Sequence, residues 1–318
     1  MKYKLIMGTP SFGKGVFFAT TAYTLWGLLP VYWNLLSPVN TLHILAYRIL
    51  FSMLLMSCML FAGKNTSWLK FYKNRRTALL MTLTALLISF NWGLYLVAVN
   101  TGRTIETSLG YYINPLLSIV LGLIVFKEKL KPLQAVAFGF ATAGVLIITL
   151  LTGKLPMISL LLAFSFAIYG FLKKTINLTA LESMGVETLI ASPLGLLMLF
   201  TSFGAHGGLD FPTLQGFSYF TELPLYMLFL LALSGLVSSF PLYLFAKSAK
   251  MLPLSTLGFL QFLAPTLTFL TGLFILKESF PPQNFIAFGF IWAAAILYII
   301  SLKGSTKKPS VQSEGMIQ

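Results

Sequence analysis

Charged residues are scarce in this chain, and their scarcity excludes most classes of soluble protein. Asp, Glu, Lys and Arg make up 9% of the 318 residues, whereas roughly 25% is usual in a soluble domain. Hydrophobic residues make up 57% of the chain, and the mean hydropathy is +0.85. The few charged side chains could not cover the surface of a soluble fold of this length, so we expect an integral membrane protein.

Residues typical of enzyme and metal sites are also rare. The sequence contains two histidines, His43 and His206, one aspartate, Asp210, and one cysteine, Cys58. This composition predicts no intrachain disulfide, no metal centre, no cofactor and no catalytic residue set. The formal net charge of +14 fits Lys and Arg in loops facing anionic lipid better than it fits a nucleic-acid partner.

Long apolar runs dominate the remaining sequence. A transmembrane helix needs about 20 apolar residues, and a backbone in hydrocarbon must pair its own hydrogen bonds. Breaks rich in Pro, Gly, Lys and Asn divide the chain into ten runs, which predicts an all-α membrane protein with ten transmembrane helices. The predicted spans are residues 15–36, 41–63, 77–99, 104–126, 132–152, 156–173, 183–203, 225–247, 253–276 and 282–302.

The distribution of Lys and Arg predicts the orientation of these spans. If the N terminus is cytoplasmic, 18 basic residues fall in inside segments and three fall outside, namely Arg103, Lys154 and Lys277. Basic loops remain in the cytoplasm, so we expect both termini there and the longest loop, residues 204–223, outside. The expected location is the inner (plasma) membrane, which the chain crosses many times.

An internal repeat divides the chain into two halves. Residues 126–128 (FKE) and 137–140 (AFGF) return 150 residues later as 276–278 (LKE) and 287–290 (AFGF). The predicted domains are residues 1–152 and 153–303, with residues 304–318 as a disordered cytoplasmic tail. Five helices per half force the second copy to enter the membrane from the opposite side, and inverted repeats are typical of secondary transporters. The alternative is that the duplication built only a stable bundle.

Charged residues within the spans are candidates for function because they are costly in hydrocarbon. Arg48 could bind a substrate carboxylate, or it could pair with Glu106 and hold an outer gate closed. The alternative for Arg48 is a purely structural ion pair or a side chain that reaches the interface. Glu106 and Glu187 could carry a coupling proton, or each could cap a helix N-terminus, since each lies in the first turn of its predicted span.

Amide and aromatic side chains in the spans form a second, neutral set of candidates. Amides in hydrocarbon need partners and should turn inward, and aromatic rings could stack on a flat ligand or simply fill the core. Five of them, from the third, fourth, sixth and ninth spans, are predicted to face one central space: Asn91, Tyr95, Asn114, Tyr169 and Gln261. The predicted substrate-binding residues are Trp26, Asn91, Tyr95, Tyr111, Asn114, Tyr169, Tyr243 and Gln261.

Four segments carry a family resemblance: residues 26–32 (WGLLPVY), 43–48 (HILAYR), 106–116 (ETSLGYYINPL) and 254–266 (LSTLGFLQFLAPT). They resemble RarD-type permeases, the chloramphenicol-sensitivity protein family, which belongs to the EamA family of the drug/metabolite transporter superfamily. The resemblance extends from about residue 14 to residue 303. It implies ten helices in two inverted five-helix EamA repeats with both termini inside.

Residues and resemblance together predict a secondary transporter. It would move a small organic metabolite or drug-like solute across the inner membrane by alternating access. Because no nucleotide-binding motif is present, we expect an ion gradient or the solute gradient to drive transport. Interior amides and aromatics with few acids favour a neutral, zwitterionic or anionic solute. The expected partners are this solute and the lipid bilayer, and a homodimer stays open. The alternatives are a non-transporting sensor or scaffold and, less favoured, an intramembrane enzyme.

Overall fold

The structure is a computed structural model that describes residues 10–64, 66–100, 104–152, 157–203, 209–210, 215–275 and 284–303. Helices account for nearly all regular structure in these ranges, as the apolar runs predict. The helices are α1 Pro10–Leu35, α2 Thr41–Ala62, α3 Arg75–Asn100, α4 Thr104–Val125, α5 Pro132–Thr152, α6 Met157–Thr175, α7 Ala180–Leu199, α8 Gln215–Glu222, α9 Leu225–Met251, α10 Leu254–Gln261, α11 Leu263–Phe274 and α12 Asn284–Lys303.

Eight stretches of the described chain are helical and are long and apolar enough to cross a membrane. Seven of them belong to α2, α3, α5, α6, α7, α9 and α12, and the eighth runs through α10 into α11. The protein is therefore an all-helical membrane protein with at least these candidate spans. The first and fourth predicted spans coincide with α1 and α4, which are helices outside this set of eight.

Short elements fill two of the connections. A 3-10 helix, Ser67–Lys73, lies between α2 and α3, and a two-residue antiparallel pair, β1 Ser202–Phe203 and β2 Leu209–Asp210, follows α7. Helix α8 then covers the start of α2 through Tyr219. The Tyr219 hydroxyl accepts a hydrogen bond from the Asn40 N–H at 3.0 Å.

The nine most extensive helix contacts form a regular pattern. Helix α2 packs on α7, α5 on α12 and α4 on α10. The remaining contacts come in pairs: α4 with α6 and α1 with α11, α3 with α6 and α1 with α9, and α2 with α9 and α3 with α7. This set of nine contacts stays the same when α1, α2, α3, α4 and α5 are exchanged with α6, α7, α9, α10–α11 and α12, respectively.

Small residues allow the closest of these contacts. A Cβ atom added at Gly235 of α9 would lie 2.5 Å from the Phe51 carbonyl carbon and 2.7 Å from the Ser52 nitrogen of α2. The Ser52 hydroxyl also donates to the Gly235 carbonyl at 3.1 Å. The two backbones touch at this point, which is the role of small residues between membrane helices.

Two differences from the predicted spans affect candidate residues. The seventh span was expected to begin at residue 183, but α7 begins at Ala180, because Thr179 and Glu182 form a capping box. Glu187 is therefore two turns inside the helix, and the expectation that it caps the N-terminus is wrong. The ninth span was expected as one helix, but it is broken at Phe262 between α10 and α11.

Candidate functional site

Arg48 occupies an aromatic box between α1, α2 and α3. Its guanidinium carbon Cζ lies 3.8 Å from the ring centroid of Trp92 and 5.2 Å from that of Trp33. Tyr95 and Tyr111, whose rings are 6.1 Å apart, are close enough to interact with it electrostatically. A guanidinium that contacts an aromatic ring through its face keeps its N–H edge for hydrogen bonds.

At least one N–H group on this edge of Arg48 has no hydrogen-bond acceptor in the described part of the chain. The Arg48 Nε atom is buried and has no hydrogen-bond partner among the described residues. The predicted partner, Glu106, belongs to α4, but its side chain lies outside the described residues, so the gate pair stays a prediction. A planar anion such as a carboxylate could accept in-plane hydrogen bonds from this edge.

The interior amides join α3 and α4 to α6, and α10 to α4. Asn91 of α3 donates through Nδ2 to the Leu162 carbonyl at 2.9 Å and to the Ser165 hydroxyl at 2.8 Å. Asn114 of α4 donates to the Ala163 carbonyl at 3.1 Å. Gln261, at the end of α10, donates to Asn114 Oδ1 at 2.8 Å. These three amides are buried and have hydrogen-bond partners, as expected for amides in hydrocarbon.

Trp26 and Tyr169 meet on a shared aromatic neighbour. Phe245 of α9 lies 5.7 Å from Trp26 and stacks on Tyr169 with ring centroids 6.2 Å apart. Tyr243 packs against the same hydrophobic cluster, and its ring also faces Lys247 Nζ at 5.6 Å. The eight predicted substrate residues therefore fall into an amide network, an aromatic cluster with Tyr243 packed against it, and the Tyr95–Tyr111 pair.

A buried ion pair joins α6 to α7, and sequence reasoning missed half of it. Lys173 Nζ donates to Glu187 Oε2 at 3.0 Å, and the Tyr169 hydroxyl donates to the same oxygen at 3.2 Å. Lys173 also donates to the Ser183 hydroxyl. Lys173, the last residue of the predicted sixth span and one of the basic residues counted as inside, is 1% exposed. The available signal was Glu187 itself, because a carboxylate in an apolar span needs a cation.

Next to this pair, the described residues enclose a narrow cavity with room for about one water molecule. Its walls come from α2, α3, α7 and α9. Glu187 is the predicted residue that lines it, and the eight predicted substrate residues lie outside its lining. The lining consists of Ile49, Ser52, Ile88, Ser89, Trp92, Met184, Glu187, Thr188, Ala191, Ser238, Ser239 and Leu242.

Comparisons with known proteins agree on one family. Residues 13–150 match the model of the EamA-like transporter family. The chain is 40% identical to "Uncharacterized transporter YojE" of Bacillus subtilis over 91% of this chain and 94% of that protein. It is also 40% identical to "Protein RarD" of Streptomyces exfoliatus, over 89% of this chain and 87% of that protein.

A solved structure supports the fold. One crystal structure matches with a TM-score of 0.66 and 16% sequence identity, covering 91% of this chain and 98% of that chain. At this identity the match concerns the fold alone, and it spans nearly all of both chains. A similar arrangement of helices has therefore been observed in a crystal structure.

Proposed function

We propose that this chain, which belongs to the EamA-like transporter family and resembles its RarD members throughout, is a secondary transporter of small organic anions or zwitterions. It moves them across the inner membrane by alternating access. The relatives that establish the family are named transporters or RarD proteins. The solute class and the mechanism are our inference from the site.

The observation that carries the solute class is the Arg48 box. The Arg48 guanidinium lies beside the rings of Trp92 and Trp33, and the N–H groups of a guanidinium form a planar fork. A carboxylate or phosphate group matches this fork, whereas an ammonium group is repelled by it. The tyrosines beside the box add hydroxyl groups that could orient the rest of an anionic or zwitterionic solute.

Alternating access is supported by the pattern of helix contacts. The exchange of α1–α5 with α6, α7, α9, α10–α11 and α12 preserves every one of the most extensive contacts. Such exchange is expected if residues 1–152 and 153–303 are inverted repeats of five membrane helices each. In this proposal α10 and α11 form one broken span, α8 is an external helix, and both termini are cytoplasmic.

Cysteine labelling tests the orientation. We expect Lys70→Cys in the 3-10 helix to be protected from an impermeant maleimide in intact cells and Thr221→Cys in α8 to react. Both positions are exposed, so a difference in labelling reports the side of the membrane. Cys58 is also exposed and must first be replaced by Ser. The reverse labelling pattern would overturn the orientation.

Counterflow in liposomes tests the solute class. Purified protein is reconstituted with an unlabelled candidate solute inside, and uptake of the radiolabelled solute is measured across anionic, zwitterionic, neutral and cationic compounds. Anionic or zwitterionic compounds should exchange. Arg48→Gln should lower their uptake by about tenfold or more, because a hydrogen bond to a charged group contributes roughly 1.5–3 kcal/mol.

The matched control for that experiment is Arg75→Gln at the exposed start of α3, which should leave uptake unchanged. Uptake by Arg48→Lys should lie between that of the wild type and that of Arg48→Gln, since lysine keeps the charge and loses the planar fork. Exchange restricted to cationic compounds would contradict the solute class. An absence of flux for every class would favour a sensor or scaffold.

A further inference from the structure

The connection between α2 and α3 is strongly basic and has no acidic residue of its own. Residues 64–76 contain five Lys and Arg residues, and the chain contains no Asp or Glu before Glu106. In the described part of the chain, Lys64, Lys70 and Lys73 form no ion pair. Neighbours in sequence therefore offer these lysines no anionic partner.

The 3-10 helix of this connection holds part of the charge on a fixed surface. Its Trp68 is 1% exposed and belongs to one buried cluster with residues of α2, α3 and α7. Residues three apart share a face in a 3-10 helix, so Lys70 and Lys73 lie on the same face. Both lysines are exposed, so the buried tryptophan presents them outward as a pair.

The same helix lies at the boundary of the membrane. It joins the end of α2 at Ala62 to the start of α3 at Arg75, and both helices are candidate membrane spans. Its Tyr72 is 64% exposed. An exposed tyrosine at the end of a span is typical of the headgroup region, where the ring meets apolar chains and the hydroxyl meets water.

We propose that the basic surface, made of Lys64, Lys70, Tyr72 and Lys73, binds the headgroups of anionic phospholipids. An ammonium group binds phosphate through charge-assisted hydrogen bonds. A zwitterionic headgroup carries its own ammonium group, which the lysines repel, so a net negative headgroup is the better match. The exposed tyrosine favours a lipid over a soluble anion. This inference goes beyond the proposed function and does not depend on solute transport.

Trp68 connects the basic surface to the helix bundle. A Cβ atom added at Gly185 of α7 would lie 3.5 Å from the Trp68 ring, so the 3-10 helix packs closely on α7. A headgroup that holds the 3-10 helix in place therefore also supports the contacts among α2, α3 and α7. Because a ligand of the native state stabilises that state, anionic lipid should raise Tm.

Thermal unfolding of the purified full-length chain in detergent micelles tests the proposal. Tm is followed while phosphatidylglycerol replaces phosphatidylcholine at constant total lipid. We expect a saturable rise in Tm that weakens as NaCl is added, because salt screens interactions between exposed charges. Inorganic phosphate at the same phosphate concentration is the parallel series for a soluble anion, and it should leave Tm unchanged.

Variants assign the effect to the basic surface. The double variant Lys70→Gln, Lys73→Gln should raise the half-saturating fraction of phosphatidylglycerol by about 25-fold, or about fivefold for each charge removed. The matched control is Lys127→Gln, Lys129→Gln in the connection between α4 and α5, where both lysines are exposed. It removes the same charge on the same side in the proposed arrangement, and it should shift the fraction much less.

Native mass spectrometry of the same samples gives a readout that does not depend on stability. The number of phosphatidylglycerol molecules retained should fall in the Lys70→Gln, Lys73→Gln variant and stay at the wild-type value in the control. Tyr72→Ser should also lower retention, although it leaves the charge unchanged.

Four results would overturn the proposal. Equal shifts in the two double variants would show a general attraction of the whole membrane face. An equal rise in Tm with inorganic phosphate would identify a site for a soluble anion. Equal responses to phosphatidylglycerol and phosphatidylcholine would remove the charge preference. Unchanged retention of phosphatidylglycerol in the Lys70→Gln, Lys73→Gln variant would place the lipid elsewhere.

Discussion

Glu128 caps a helix that lies 126 residues further along the chain. It follows α4, and its carboxylate accepts hydrogen bonds from the Leu254 N–H at 2.7 Å, the Ser255 N–H at 2.9 Å and the Ser255 hydroxyl at 2.6 Å. These groups form the first turn of α10, whose own N-cap residue, Pro253, offers no side-chain cap. A carboxylate at a helix N-terminus is also favoured by the helix dipole.

Removal of this carboxylate should destabilise the protein strongly. A hydrogen bond to a charged group contributes about 1.5–3 kcal/mol, and the three bonds share one carboxylate, so they do not add in full. Because Glu128 is buried, Glu128→Ala leaves two N–H groups unpaired, and we expect it to lower the free energy of unfolding by about 3–5 kcal/mol. Glu128→Gln keeps one acceptor oxygen, so it should lower the free energy of unfolding by about half as much as Glu128→Ala.

Denaturant unfolding in detergent micelles measures these losses, and hydrogen exchange locates them. The Leu254 and Ser255 amides should exchange faster in Glu128→Ala, while amides in the middle of α9 should change less. Lys129→Ala, an exposed change in the same loop, is the control. A typical surface substitution changes the free energy of unfolding by about 0.5 kcal/mol or less. If the free energies of unfolding of Glu128→Ala and this control differ by no more than that, the capping role is refuted.

Two further predictions concern the packing of the bundle. Lys173→Met should lower the free energy of unfolding by about 3–5 kcal/mol because it leaves Glu187 as a buried unpaired charge, and the double variant with Glu187→Gln should regain most of that loss in denaturant unfolding. A double variant as unstable as the single one would argue against the ion pair. Gly235→Ala should lower the free energy of unfolding by about 1–3 kcal/mol by forcing α2 away from α9. Gly139→Ala, where an added Cβ meets nothing within 4 Å, should be neutral or stabilising in the same denaturant assay.

Helix positions could be read from the sequence because their causes are local. The second and fifth spans were predicted at residues 41–63 and 132–152, and the helices are Thr41–Ala62 and Pro132–Thr152. Bilayer thickness sets the length of an apolar run, and a Pro, Gly or Lys residue marks the position at which the run ends. The burial of Asn91, Asn114 and Gln261 agrees with the same reasoning, since an unpaired amide in hydrocarbon is costly wherever it lies.

Local errors arose where one capping interaction or one turn decided a boundary. Residues 180–182 carry too little hydrophobicity to be counted in a span, yet the Thr179–Glu182 capping box begins α7 there. Glu187 consequently lies deeper than expected. The break at Phe262 had a partial signal in the following Pro265, but Pro115 lies inside an unbroken α4, so proline alone did not decide it.

The sequence by itself determined the apolar runs, the family and the residues that hydrocarbon penalises. Only the tertiary structure decided their partners: Lys173 for Glu187, the α10 N-terminus for Glu128, and Trp92 for Arg48. The physical reason is that hydropathy and capping act over a few neighbouring residues. Ion pairs, stacked rings and cavities depend on which helix faces meet, and those faces come from segments separated along the chain.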